Sequence, residues 1–368
     1  MAQPFSFGFS GDDIEEDPTD ISNQQGNAQN VSDGENDAPP IQAKAHDLNE
    51  LLSNLPSKLS YNTITLNSPL SHTTRLPRRE LFDVRLQLMS EDTFSNNNNN
   101  NNNNNTANTS PLTGLLTSDL TKNIYEGGYK TWECSLDLVR YLLDRGPRKD
   151  LDDLTRVDHV IEMGCGTALP TLLLFQYAIL NGLSMHFTVM DYNFDVLRLV
   201  TLPNLLLAWI GTLAQDDPVF AGEQNPLADT TAESGDVELT PQLVTRFKDA
   251  LSTQGISLTL ISGSWVPVPH LLELVPSTSD MNTFILASET IYSPASLTAF
   301  TEAMVGLMKR VKGGKAVVAA KRVYFGVGGS VDGFREEVAR QGAVGYEVEF
   351  EGLESNGVRR CLLEVQMC

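Results

Sequence analysis

Basic side chains are sparse in this chain: 26 lysines and arginines stand against 47 aspartates and glutamates, a formal net charge of -21. A protein that neutralises phosphates needs a basic face, so direct nucleic-acid binding is not expected and basic partners suit the chain better. Cysteine is scarce as well. The four present, Cys134, Cys165, Cys361 and Cys368, show no metal-type pairing, and no secretory leader accompanies them, which points to free thiols in a reducing compartment without a bound metal. Uninterrupted hydrophobic runs are missing too. Leu169 to Leu183 and Val196 to Leu213 approach membrane-span length, but Pro170, Gln176, Asn181, Arg198, Pro203 and Asn204 break them, so buried helices are expected and a membrane is not. No internal repeat of about 20 to 50 residues is present, which sets aside solenoids and propellers.

What is there divides into three parts. Residues 1–45 carry nine acidic side chains and one basic one, Lys44, among Gln, Asn, Gly and Pro, and read as a disordered acidic tail. Residues 46–118 form an N-terminal extension with short apolar segments, Leu48 to Leu55 and Leu81 to Met89. The alternation of Phe82, Val84, Leu86 and Leu88 suggests a strand in the second. The extension ends in an asparagine tract, 96–105, read as a linker expansion. From residue 119 to 368 strand and helix alternate, an α/β pattern. Strands are expected at Val157 to Met163, Met185 to Met190, Leu258 to Ser262, Thr283 to Ser288 and Ala316 to Ala320. Helices are expected at Ala168 to Leu180, Phe194 to Leu213, Leu239 to Thr253 and Pro294 to Val311. Gly345 to Phe350 and Arg359 to Gln366, joined by Ser355-Asn356-Gly357, read as a closing antiparallel hairpin. Residues 215–240, rich in Asp, Glu, Pro, Gly and Thr, read as a flexible surface insertion.

The chemistry concentrates where the first of these strands ends, in Val160-Ile161-Glu162-Met163-Gly164-Cys165-Gly166-Thr167. Gly164, Cys165 and Gly166 form a tight strand-to-helix turn whose bare backbone lets a ligand approach N–H groups closely. The third glycine of the dinucleotide fingerprint is absent, and Glu162 would repel a pyrophosphate. A cationic, phosphate-free ligand with a ribose fits better, and S-adenosylmethionine is such a ligand. Asp191, after the second strand and 29 positions beyond Glu162, is placed to accept from both ribose hydroxyls, with Asn193 beside it. Gly263-Ser264-Trp265 ends the third strand, where the indole of Trp265 can stack on adenine. Trp132, in the glycine-bearing stretch Tyr125 to Cys134, belongs to a lid over the cofactor. Ser288 closes the fourth strand beside it.

On the acceptor side, Glu289 and Tyr292 follow that strand, and Tyr324-Phe325-Gly326-Val327-Gly328-Gly329 follows the fifth. Three glycines and two aromatics can close on a flat ring. Glu289 or a backbone carbonyl is the expected partner of an acceptor's distal nitrogen, with Tyr292, Tyr324 and Phe325 as walls.

With these residues in view, the chain resembles the eukaryotic protein-histidine N-methyltransferases of the histidine protein methyltransferase 1 type. The resemblance covers about residues 119–366 and Phe5-Ser6-Phe7-Gly8-Phe9. It is carried most specifically by Tyr125 to Cys134, Thr201-Leu202-Pro203-Asn204, Ser288 to Tyr292 and Tyr324 to Gly329. It implies a Rossmann-like seven-strand class I methyltransferase sheet with helices on both faces, S-adenosylmethionine as cofactor, and a large-subunit ribosomal protein, number three, as substrate. The modification is implied at the τ nitrogen of one histidine, with a role in ribosome biogenesis and translation in cytoplasm and nucleus. Two positions depart from the family pattern: Ala168-Leu169-Pro170 replaces a glycine-containing continuation, and Glu162 replaces the commoner aspartate. A protein-lysine methyltransferase of the same fold and a non-catalytic chaperone of a ribosomal protein are the competing readings.

Overall fold

The computed structural model describes residues 40–98, 128–145, 156–353 and 358–368. The tail through residue 39, most of the asparagine tract, the first three residues of Tyr125 to Cys134, and the Ser355-Asn356-Gly357 turn lie outside these residues.

Among the described residues the strands are β1 (Lys44–His46), β2 (Lys58–Asn67), β3 (Thr73–Arg79), β4 (His159–Met163), β5 (His186–Asp191), β6 (Ser234–Glu238), β7 (Ser257–Ser262), β8 (Asn282–Ser288), β9 (Gly313–Lys321), β10 (Ala343–Val348) and β11 (Arg360–Met367). Eight of them make one sheet in the order β1-β7-β5-β4-β8-β9-β11-β10. β7, β5, β4, β8 and β9 run parallel, and β11 pairs antiparallel with both β9 and β10. The expected parallel strands and closing hairpin are therefore present, and the sheet has the seven-strand class I arrangement. One strand was not foreseen: β1, drawn from the end of the acidic segment, pairs antiparallel with β7 and adds an eighth.

The parallel strands are apolar on both faces because helices cover both. Along β8, Phe284 and Leu286 join one core cluster while Ile285 and Ala287 join the other, the two-residue period of a strand. The helices are α1 (Leu48–Ser53), α2 (Leu81–Asn98), α3 (Glu133–Arg145), α4 (Leu169–Leu180), α5 (Phe194–Val196), α6 (Leu202–Ile210), α7 (Pro241–Gln254), α8 (Val268–Leu274), α9 (Pro294–Lys309) and α10 (Val331–Arg340). α3, α4, α6 and α7 feed the first cluster, α8, α9 and α10 the second. Their ends follow local chemistry. Ser293 caps α9 by accepting from the Ser296 N–H at 3.2 Å with Pro294 in the first turn, and Gly255 ends α7 in the left-handed region, φ 70°.

Two expectations are corrected. Residues 81–89 are helical, not extended: Val84 and Leu88, four apart, are buried on Tyr129, Val196 and Leu199, while Phe82 and Leu86 face solvent. The helical spacing of the buried pair prevailed over the alternation of the four apolar residues. Residues 215–240 are not merely a surface insertion, because β6 pairs with β2 in a second, three-stranded sheet, β3-β2-β6. The expected helix from Phe194 is present and runs unbroken to Ile210, with a π-helical turn, Leu197–Thr201, inside it. Pro203 has no N–H to offer the Leu199 carbonyl four residues back, and that carbonyl accepts from Arg79 Nη1 at 2.9 Å instead.

Asn204 joins the two sheets. Its amide accepts from the Arg79 N–H at 2.7 Å and donates to the Thr167 carbonyl at 3.0 Å, fully buried. Asn204→Leu leaves both backbone groups without partners, and urea unfolding is expected to show a loss of about 2–4 kcal/mol. A loss below about 0.5 kcal/mol would show that the link carries no stability.

Candidate active site

The strand order reverses at β4, so the crevice beyond the carboxyl ends of β4, β5 and β8 is where an open α/β sheet receives a ligand. Gly164, Gly166 and Ala168 after β4 all have positive φ, 68°, 50° and 58°. A Cβ on Gly164 would lie 2.8 Å from Thr290 Cγ2, and one on Gly166 would lie 3.2 Å from the Gly128 carbonyl oxygen. Both glycines are thus required by conformation and by close approach. Asp191 sits against this turn. Its Oδ2 accepts from the Gly166 N–H and its Oδ1 from the Asn193 N–H, each at 3.0 Å. Asn193 contributes here through its backbone. The Thr201 hydroxyl donates to the Gly166 carbonyl at 2.7 Å, holding the turn from behind. Gly128 closes over the same place, since a Cβ there would be 3.2 Å from Asp191 Oδ2.

Glu162 is fully buried at the end of β4. One oxygen, Oε2, accepts from the Thr171 N–H at 2.9 Å, and the other, Oε1, has no partner. Burial, with the charge of Asp191 adding to it, pushes the carboxyl up to about 8 against the pull of Thr171. Cys165 packs in the core, and burial raises its thiol well above the usual range.

Beyond β7, Gly263 takes φ 109° and shares its N–H between the carbonyls of Asp191 and Tyr192. A Cβ there would lie 2.6 Å from the Gln42 carbonyl, because the chain leading into β1 passes directly over it. That strap was not legible beforehand. The Ser264 N–H donates to the Ile41 carbonyl, and His46 bonds Ser262 Oγ at 2.7 Å while stacking on Phe194 at 4.3 Å. Trp265 serves two environments: it packs on Phe300 in the second core cluster, and its Cζ2 lies 3.9 Å from where a Gly164 Cβ would be.

Ser288 pairs with Ala319 at the end of β8, and Glu289 follows with φ 57°, a left-handed conformation costly for a residue with a side chain. The Glu289 N–H donates to the Ala319 carbonyl at 3.0 Å. The Glu289 carboxylate meets the Cys134 thiol and the Tyr324 hydroxyl, and its Oε1 is buried without a partner. Burial raises the Glu289 carboxyl above its ordinary value, opposed chiefly by the charge of Lys321. The Tyr324 phenol is raised well above its range by its own burial and by Glu289. The glycine-rich loop is clipped to this segment: Gly329 donates to the Tyr292 carbonyl and accepts from the Tyr324 N–H, both at 3.0 Å. A Cβ on Gly329 would fall 2.0 Å from the Ile291 carbonyl oxygen, so only glycine fits.

The acceptor residues therefore separate. Glu289 and Tyr324 are together, Tyr292 is half-buried against the second cluster, and Phe325 is 67% exposed. The expected aromatic wall is thus not closed around the Glu289 carboxyl. Trp132, expected over the cofactor, carries the Lys321 ammonium 5.4 Å from its ring centroid. Thr290, Cys134 and Lys321 were not anticipated. A charged residue ending a parallel strand, as Lys321 does, is the signal that could have marked the last. Among the described residues no cluster of His, Cys, Asp or Glu could hold a metal, and no helix is long and apolar enough to cross a membrane.

Comparison with known proteins places this arrangement among relatives. The chain is 37% identical over 350 residues to histidine protein methyltransferase 1 of Saccharomyces cerevisiae, covering 90% of this chain and 89% of that one. The protein of the same name in Schizosaccharomyces pombe is 34% identical over 341 residues, 92% of this chain and 86% of that one. A histidine protein methyltransferase 1 homolog from Bos taurus is 27% identical over 67% of this chain and 57% of its own. No protein-family model matches. Among solved structures, a putative class I S-adenosylmethionine-dependent methyltransferase from Listeria monocytogenes aligns with 66% of this chain and 62% of its own at 13% identity and a TM-score of 0.34, too distant a likeness to bear on the site.

Glu162 makes a prediction of its own. Between its ordinary value of 4.5 and about 8, the native carboxyl keeps a proton that the unfolded chain has released. Stability of the ligand-free protein accordingly falls as pH rises through that window, by up to ~1.4 kcal/mol per pH unit from this group. Glu162→Gln, which preserves the acceptor for Thr171, is expected to flatten that dependence in denaturant melts run from pH 5 to 8. Parallel slopes in wild type and variant would show that Glu162 is ionised when buried.

Proposed function

This chain belongs to the histidine protein methyltransferase 1 family, and we propose that it transfers a methyl group from S-adenosylmethionine to the τ nitrogen of a histidine in a large-subunit ribosomal protein, number three in the standard series. The single observation that supports the donor site is the meeting of the Gly164 to Gly166 turn, Asp191 and the unpartnered Glu162 oxygen at the sheet's switch point. The residues present fit the cofactor. Asp191, its two oxygens already oriented by backbone N–H groups, keeps lone pairs for vicinal hydroxyls. Glu162 offers a buried carboxyl oxygen to a cationic head group, and Gly164 leaves the backbone bare beside Thr290 and Trp265. When bound, the cofactor supplies an electrophilic methyl on a sulfonium.

What remains for the chain is to align a nucleophile, exclude water and take up a proton. An imidazole with pKa about 6.5 is already mostly neutral at pH 7, whereas a lysine amine near 10.4 must first be deprotonated. The site suits the former task. Glu289, fixed by its left-handed backbone and by Cys134 and Tyr324, is a carboxyl with a free oxygen that can accept the proton of the other ring nitrogen. The strong acidity of the chain suits a basic ribosomal client, and we propose cytoplasm and nucleus as its locations, checked by imaging a tagged chain.

Labelled cofactor and the full-length protein, added to an extract from cells lacking it, are expected to mark one band of ribosomal-protein size, mapped by mass spectrometry to histidine. Label on lysine would transfer the reading to the lysine-modifying relatives. Client binding with no label, unchanged by active-site substitution, would favour the chaperone. Glu289→Gln is expected to lower kcat about 10²–10⁴-fold with cofactor affinity unchanged, and full turnover would remove Glu289 from the chemistry. Asp191→Ala is expected to weaken calorimetric cofactor binding at least about tenfold, the loss of charge-assisted hydrogen bonds. An unaltered affinity excludes the ribose role.

A further inference from the structure

Lys321 ends β9, next to the β8 strand that carries Glu289 at its tip. Its ammonium lies 5.4 Å from the Trp132 ring centroid, within cation–π range, and its charge is the strongest influence opposing the burial of the Glu289 carboxyl. The other charges around Glu289 are already matched. Arg360 on β11 bonds Glu133 Oε2 at 3.0 Å and Asp137 Oδ2 at 2.5 Å, so the two carboxylates at the start of α3 are paired. Cys134 and Tyr324 face Glu289 as hydrogen-bonding partners, Cys361 on β11 also feels its charge, and burial keeps all three in their neutral forms. Lys321 makes no ion pair among the described residues, and its backbone N–H donates to the Tyr324 hydroxyl at 3.3 Å.

Resting on the methyl-transfer reading above, we propose that Lys321 is a specificity-determining residue: a resident cation, seated on Trp132 beside the strand end that carries Glu289, that disfavours an ammonium-bearing acceptor relative to a neutral imidazole. A pocket that accepts a lysine side chain must offer its aromatic face and its carboxylate to the incoming cation. Here the chain's own lysine already sits on the Trp132 face and sets a positive charge near Glu289, whose carboxyl is held by Cys134 and Tyr324. A second positive charge brought to Glu289 meets repulsion in a poorly solvated cleft, whereas an uncharged ring does not. The same cation disfavours an imidazolium, so the acceptor is held in its nucleophilic form.

Removing the charge has a defined sign. Without Lys321 the Glu289 carboxyl and a bound imidazole both hold protons to higher pH, so the acid limb of the rate profile moves upward. The experiment uses the full chain as wild type, Lys321→Met, which keeps an apolar stem on Trp132, and Lys321→Arg, which keeps the charge, with thermal melts confirming that all three fold. Carbon-13 labelling of glutamate, with Glu289 assigned through Glu289→Gln, follows the carboxyl by NMR. Its midpoint is expected to rise by about one pH unit or more in Lys321→Met and to return in Lys321→Arg. In parallel, the acceptor protein found by the labelling above is compared with a version bearing lysine at the methylated position. Lys321→Met is expected to narrow the histidine-over-lysine preference by about tenfold and to shift the acid limb of kcat upward, with Lys321→Arg restoring both. An unmoved Glu289 midpoint, or a preference undiminished in Lys321→Met, overturns the inference while methyl transfer to histidine by the wild type stands. A wild type that labels neither acceptor overturns the methyl-transfer reading, and the carboxyl titration still decides whether Lys321 acts on Glu289.

Discussion

One carboxylate organises the crevice. Asp191 accepts from the Gly166 N–H on the turn after β4 and from the Asn193 N–H on the turn after β5, so two loops on neighbouring strands share one anion. The parallel register that sets Met163 opposite Met190 makes this possible, because it delivers both chain reversals to the same height. Charge-assisted bonds to backbone amides are short and directional. The acid is therefore held in place before any ligand arrives, and a ligand that needs two hydroxyls bound finds its acceptors already ordered.

The rest of the molecule braces that contact from two sides. From the second sheet, Arg79 fills the carbonyl that Pro203 leaves open and gives its own N–H to Asn204, which in turn holds the Thr167 carbonyl. Thr201, from the π-helical turn, takes the Gly166 carbonyl. From the sheet edge, β1 and the residues before it run over Gly263 and tie to Ser264 and Ser262. The N-terminal extension is thus part of the site's framework rather than an appendage to it.

Two further acids flank the turn and differ from Asp191 in kind. Glu162 is fully buried and Glu289 half-buried, each has one buried oxygen without a partner, and desolvation raises both carboxyls. Leaving such atoms without partners costs stability, and each keeps an acceptor available beside the turn. Glu162 lies at the end of β4, against the first turn of α4 through Thr171. Glu289 lies beyond β8, where its left-handed backbone is held by the carbonyl of Ala319 on the next strand.

The parallel strands, the closing hairpin and the glycine turn were readable along the chain because they are written in local periods and in positions that favour glycine, as at Gly164, Gly166 and Gly329. The acids at 162, 191 and 289 were readable for a related reason: each ends a strand, and strand ends in an open parallel sheet meet at one rim. Where two local patterns compete, adjacency along the chain does not choose between them, and Leu81 to Met89 became a helix because Val84 and Leu88 found a hydrophobic surface on Val196 and Leu199. Partnerships between distant residues carry no local signature at all. Trp132 with Lys321, Cys134 with Glu289, Asn204 with Arg79 and the strap over Gly263 each join segments separated by tens of residues or more. Periodicity and backbone permissiveness belong to neighbours in sequence and so were fixed there; which side chain meets which across the crevice depends on how the layers pack, and only the folded chain settles it.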